Sequence, residues 1–160
     1  AKGNVLKIKN FYIGMTVDEA QKTWQALGIN EPLLCDYDKD TKKIYAIQFK
    51  DNALRKMFSI PVDMSIKRFI EEFQSAYDLG DFSESYDSDN SSFMNISSSS
   101  EYTIFRNESE DGLLIEIIET KTEGTMITDD LNTFNLKSSA SWTLTMKKIP
   151  TKKEMSQRFN

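Results

Sequence analysis

Thr16-Val17-Asp18-Glu19-Ala20-Gln21-Lys22-Thr23-Trp24-Gln25-Ala26-Leu27-Gly28 decides how the first half of this chain is read. Thr16 and Glu19 have the spacing of a capping box, in which the Thr hydroxyl accepts from the amide of Glu19 and the Glu carboxylate reaches back to the amide of Thr16. Val17, Ala20, Trp24 and Leu27 then recur on one helical face, and Gly28 is the expected stop. After Pro32 the period changes from helical to alternating. Residues 33–38 alternate, Tyr45, Ile47 and Phe49 point one way within 43–50, Asp51-Asn52 forms a turn, and Leu54, Phe58 and Ile60 make the stripe of a third strand over 53–60. The order is a helix followed by an antiparallel meander.

The same pattern returns 49 residues later, pairing Met15 with Met64, Thr16 with Ser65, Val17 with Ile66, Ala20 with Phe69, Trp24 with Phe73 and Leu27 with Ala76. Ser65 is the N-cap of this second helix and Gly80 its stop. Residues 81–100 hold nine serines among Asp, Asn and Glu, a composition expected to form a loop tacked down by Phe82, Tyr86, Phe93 and Met94. Strand signals resume at 101–106, 113–118, weakly at 125–137, and at 141–149, where Trp142, Leu144 and Met146 alternate with Thr143, Thr145 and Lys147. The polar tail 151–160 reads as a short helix or frayed end. The expected fold is α+β: two helix-plus-meander units, 1–61 and 62–150, with two helices packed on antiparallel sheet and Trp24 and Phe73 as core anchors beneath it.

Composition limits the chemistry. The 160 residues, 39% of them hydrophobic, suffice for a real core. There is no histidine, which excludes Ser-His-Asp, Cys-His and His-ligated zinc sites. The six glycines stand singly, so no phosphate-cradling loop exists and no cofactor is expected. Asp36, Asp38 and Asp40 alternate like the start of a calcium loop, but Thr41 and Ile47 occupy the positions of its Gly and bidentate Glu; a hairpin turn at 38–41 is the better reading. Asp111, Glu116 and Glu119 are the acids available for histidine-free acid–base chemistry, at positions where solvated carboxylates are the norm. Cys35 is alone, which rules out an intrachain disulfide, and it reads as a small core residue. Asn90, Asn95 and Asn107 each head a glycosylation pattern.

Charge is unevenly placed. The net charge is -5, yet residues 1–80 carry 12 bases and 11 acids, and in 81–111 Arg106 is the only base among eight acids. That balance argues against nucleic acid as partner. It also makes Asp87, Asp89, Glu101, Glu108, Glu110 and Asp111 the candidate contacts for a basic protein partner. The basic pairs Lys42-Lys43, Arg55-Lys56, Lys67-Arg68 and Lys147-Lys148 read as lysine protection of a sheet edge. No apolar run is long enough for a transmembrane helix. The start at Ala1 without Met leans toward export, with a periplasmic or secreted location.

Phe11-Tyr12-Ile13-Gly14-Met15-Thr16-Val17-Asp18-Glu19-Ala20 resembles the helix start of small outer-membrane-assembly lipoproteins and of the β-lactamase-inhibitor protein. Ile47-Gln48-Phe49-Lys50-Asp51-Asn52-Ala53-Leu54 is similar to their hairpin, with Asn52 where Gly is usual. The resemblance implies a bacterial helix-on-sheet architecture used for holding other proteins. It brings neither the lipidation Cys nor the disulfides of those families. The expected function is therefore a non-catalytic protein-binding module, with contacts from the sheet face opposite the helices or from 81–111. The alternative is an acidic inhibitor or immunity-type protein that plugs a basic active site. A carboxylate-only enzyme would require two facing acids in a deep pocket.

Overall fold

A computed structural model describes residues 5–158. It is an α+β fold with element order α1 (Val17–Ala26), β1 (Leu34–Tyr37), β2 (Ile44–Lys50), α2 (Asp51–Phe58), α3 (Ile66–Ala76), β3 (Ser83–Phe93), β4 (Ile96–Glu108), β5 (Leu113–Ile127), β6 (Thr133–Lys148) and α4 (Lys152–Arg158). All pairings are antiparallel, in one sheet of order β1-β2-β6-β5-β4-β3.

Both helix starts form as the caps dictate. Thr16 accepts from the amide of Glu19 at 3.2 Å, and Ser65 from that of Arg68 at 3.2 Å. The carboxylate of Glu19 does not return to Thr16; it accepts from the hydroxyl of Tyr12 at 3.1 Å, so half of the expected capping box is replaced. Gly28 (φ 68°) stops α1 as expected, but α3 ends at Tyr77 and Asp78 (φ 51°), before Gly80 is reached. Asp tolerates the left-handed region well enough to serve.

Two expected elements are corrected. The run 53–60 is no strand: Asp51, at φ 33°, turns β2 directly into α2, which Ser59 (φ 50°) ends. Leu54 and Phe58 lie four apart, a spacing that suits both a strand's period of two and a helix's 3.6, and Ala53, Arg55, Lys56 and Met57 are good helix formers. The serine-rich 81–100 is no loop either. It supplies β3 and the first five residues of β4, and the two strands pair over eleven consecutive residues without a bulge. In β2, a register shift pairs Tyr37 with Ile44 and leaves Tyr45 without a partner, so Ile44 is buried and Tyr45 exposed, the reverse of the alternation expected for Tyr45.

β6 lies between β2 and β5, which joins the N-terminal elements to the last hairpin. Cross-strand rows Ile47–Met146–Ile115 and Phe49–Leu144–Ile117 point to the helix side, because directly paired residues share a face. Under them, Phe11 packs against Phe49 (5.2 Å between centroids) and Trp24 (6.1 Å), and Phe69 against Trp142 (5.7 Å). Trp24 and Phe73 are both buried core anchors, as expected. Arg55 of α2 stacks on Trp142, with its guanidinium carbon 4.6 Å from the ring centroid, and Trp142 donates from Nε1 to Glu119 at 2.7 Å.

The helix layer covers only the near half of the sheet. On this face burial ends at Phe105, Ile117 and Trp142, and β4 runs a further nine residues to Ile96, about 30 Å at strand rise. β3–β6 thus continue beyond the helices as a Ser/Thr-rich blade. Leu144→Ala, at a position with no exposed surface, is expected to cost about 2–5 kcal/mol, read as a lower urea midpoint. Tryptophan fluorescence, which senses Trp24 and Trp142 at separate places in the shared core, should give the same midpoint as far-UV dichroism.

Candidate functional site

The structure separates the six expected contact acids. Asp87 and Asp89 lie on β3, two residues apart, paired with Tyr102 and Ser100; both therefore face away from the helices. Glu101 pairs in register with Ser88 and Lys121 on the opposite face. Glu108 sits at the far end of β4 in an ion pair with Arg106 (3.5 Å), and Glu110 and Asp111 lie in the turn to β5. From Glu101 to Glu108 is about 24 Å along the strand, so one patch does not form.

The acids considered for catalysis are also apart. Glu116 pairs with Arg106 (3.4 Å) on the open face, and Glu119 is held by Trp142 and Lys121 (3.8 Å) on the helix face. Three residues apart on one strand, they point to opposite sides of the sheet. Asp38 braces its hairpin, accepting on Oδ1 from the amides of Asp40 (2.8 Å) and Thr41 (3.0 Å). Those amides, that of Thr41 most, hold its carboxyl below the ordinary value. A cleft of about 940 Å³ opens beside it, floored by Ile13, Ile44, Leu113 and Ile115 and edged by Asp38, Asp78, Lys43 and Lys148. Asn107, on the wall of that cleft, is buried and donates to the carbonyls of Gly80 (2.8 Å) and Asp81 (3.3 Å). Its side chain is committed to the fold, which removes it as a glycosylation acceptor.

The basic pairs do not guard an edge. Arg55-Lys56 and Lys67-Arg68 lie on helices, Lys42-Lys43 at the β1–β2 turn, and Lys147-Lys148 on β6 in the middle of the sheet. Neither edge strand, β1 or β3, contains a lysine.

What sequence reasoning missed is the end of the blade. Phe93, Ile96, Met126 and Phe134 pair in turn across β3, β4, β5 and β6, forming one apolar row on the face away from the helices. Phe93 is 74% exposed and Phe134 51%. Leu136 continues the row over Gly124, where a Cβ would stand 3.1 Å from the Leu136 side chain. Two turns cap the blade, each carrying an exposed hydrophobe: Met94 (87%) and Leu131 (83%). Leu131 is left-handed at φ 64°, a costly conformation for leucine. Asp130 enforces it by accepting from the hydroxyl of Thr128 and from Nδ2 of Asn132 (2.8 Å), and the Thr128 bond above all keeps its carboxyl below the ordinary value. Of the four side chains expected to tack 81–100 down, only Phe82 packs against the core, 6.4 Å from Phe73; Tyr86, Phe93 and Met94 are exposed. The available signal was apolar residues beside turn formers, Phe93-Met94-Asn95 and Asp129-Asp130-Leu131-Asn132.

Among the described residues no group of three or more Cys, Asp or Glu has a metal-holding arrangement, and no helix is long and apolar enough to cross a membrane. The chain matches no family model, no curated protein and no solved structure.

Cys35 pairs with Ile47 on the helix face and is half-buried; burial, then the nearby Asp36 carboxylate, pushes its thiol above the ordinary value. A raised value means less thiolate at mildly alkaline pH. Intact-mass measurement should therefore show Cys35 alkylated more slowly than glutathione under the same conditions.

Proposed function

We propose that the chain is a non-catalytic protein-binding module that docks through the far end of its blade. The observation that carries this reading is the four-strand apolar row Phe93–Ile96–Met126–Phe134, with Leu136, Met94 and Leu131 beside it. Soluble monomers rarely display contiguous apolar surface of this kind unless something binds it. The strained, Asp130-braced turn that holds Leu131 outward supports the same reading, since strain of this sort persists where surrounding bonds impose it.

A protein suits this surface better than an anionic bilayer. Asp89, Glu123, Asp129 and Asp130 lie around it in sequence and strand register, an acidic balance. Anionic lipid would favour the reverse balance. The resemblance to bacterial envelope proteins agrees with a protein-holding role, and by itself supports a periplasmic or secreted location, which cell fractionation checks.

The test is comparative cross-linking in the source cells. Wild-type chain and the double variant Phe93→Ser/Phe134→Ser should share a circular dichroism spectrum, because both positions lie outside the core and the Ile96–Met126 pair remains to hold the blade's register. Wild type is expected to yield a discrete cross-linked protein that the variant loses at least tenfold. Equal capture by both sinks the reading, and so does flotation of wild type, but not of the variant, with phosphatidylcholine vesicles.

A further inference from the structure

The two edges of the sheet are unlike. β1 is four residues long and its pairing is broken by a register shift, both common ways of making an edge a poor template. β3 has none of these devices. It is eleven residues long, paired to β4 without a bulge, free of proline and lysine, and exposed at every position. Every second residue of such a strand turns its N–H and C=O outward. Among the described residues, no backbone hydrogen bond beyond those of the β4 ladder reaches 83–93.

A second copy of this chain is a poor occupant. Antiparallel pairing of β3 with itself about Ser88 sets Asp87 against Asp89 twice. A shift to centre on Asp87 or Asp89 sets that residue against its own copy, so like charges meet in each of the three registers that pair nine or more of the eleven residues. The acids thus disfavour the longest self-pairings while leaving the backbone edge open. An extended segment with basic side chains at alternate positions meets neither obstacle: its Lys or Arg residues fall beside Asp87 and Asp89 on the open face. Its far end would reach Phe93, where the edge runs into the apolar row.

We propose that β3 is a strand-addition site, and that its partner is a protein presenting an extended segment with Lys or Arg at every second residue. This rests on the reading of the chain as a protein-binding module and names the partner's chemistry. Main-chain bonds supply the docking and the acids select the sign of charge.

The experiment uses the full chain and a fluorescent peptide of alternating Lys and Thr, matched in length to β3. A control peptide has the same sequence, with N-methyl groups on alternate residues along one edge. That change keeps the charge and removes the strand donors. Binding by anisotropy is expected for the first peptide and at least tenfold weaker for the second, with NMR amide shifts concentrated in 83–93. The exposed substitutions Asp87→Ser/Asp89→Ser should weaken binding about three- to tenfold, the scale of two surface charge pairs. Equal binding of both peptides would show attraction to net charge alone and overturns the proposal. So does no binding of either, shifts centred outside β3, or wild-type dimerisation through this edge. The cross-linking comparison with Phe93→Ser/Phe134→Ser stands or falls independently, so a failed strand site leaves the module reading to be judged by its own result.

Discussion

The ladder between β2 and β6 is the constraint on which the rest of the structure depends. It spans nearly a hundred residues of sequence, setting Ile47 beside Met146 and Phe49 beside Leu144. β6 carries the rows on to Ile115 and Ile117 of β5. Without that ladder the N-terminal helix, hairpin and α2 would have a narrow two-stranded sheet to cover, which is marginal in water. With it, one core runs from Phe11 and Trp24 to Phe69 and Trp142. Closing so long a connection carries an entropic cost, offset by burying both apolar faces at once. Arg55, stacked on Trp142 and 4.0 Å from Asp51, ties α2 to the same seam.

Fold class was legible wherever one face of an element is wet and the other dry. The stripes Ala20–Trp24 and Phe69–Phe73, the caps at Thr16 and Ser65, and the alternation Trp142–Leu144–Met146 each report a boundary between core and water. Reading failed where that boundary is absent or ambiguous. The blade beyond Phe105 is exposed on both faces, so its serines carry no alternation to detect. Their pairing is a backbone matter, aided by cross-strand contacts such as Ser91–Ser98 (2.8 Å) and Ser100–Thr122 (3.1 Å). Leu54 and Phe58 failed differently, because a separation of four fits both periods.

The acidic character of 81–111 was also legible, and its distribution was not. Sequence proximity groups Asp87, Asp89, Glu101, Glu108, Glu110 and Asp111; strand geometry sends them to two faces and two ends. Arg106 and Lys121 then offset Glu108, Glu116 and Glu119. Asp87 and Asp89 remain as acids outside any ion pair among the described residues, on the one long edge. A negatively charged run in a loop is ordinarily a solvated feature. On an edge strand the same charges acquire a direction, because the groups left unpaired beside them are main-chain donors and acceptors.

On the proposed reading, residues at the blade's end serve two demands, register and docking. A serine-rich ladder exposed on both faces specifies its register weakly, since sliding by two residues exchanges one polar pair for another. Phe93, Ile96, Met126 and Phe134 break that degeneracy, because their row forms in one register alone. A clasp of this kind would be complete with the four side chains leaning on one another. Here Phe93 and Phe134 stay largely open to water, and Met94 and Leu131 add apolar surface at the turns without joining a strand pair. Register control accounts for the row's existence. It does not account for the exposure, nor for a leucine held left-handed by Asp130, and those are the features that a docking surface explains.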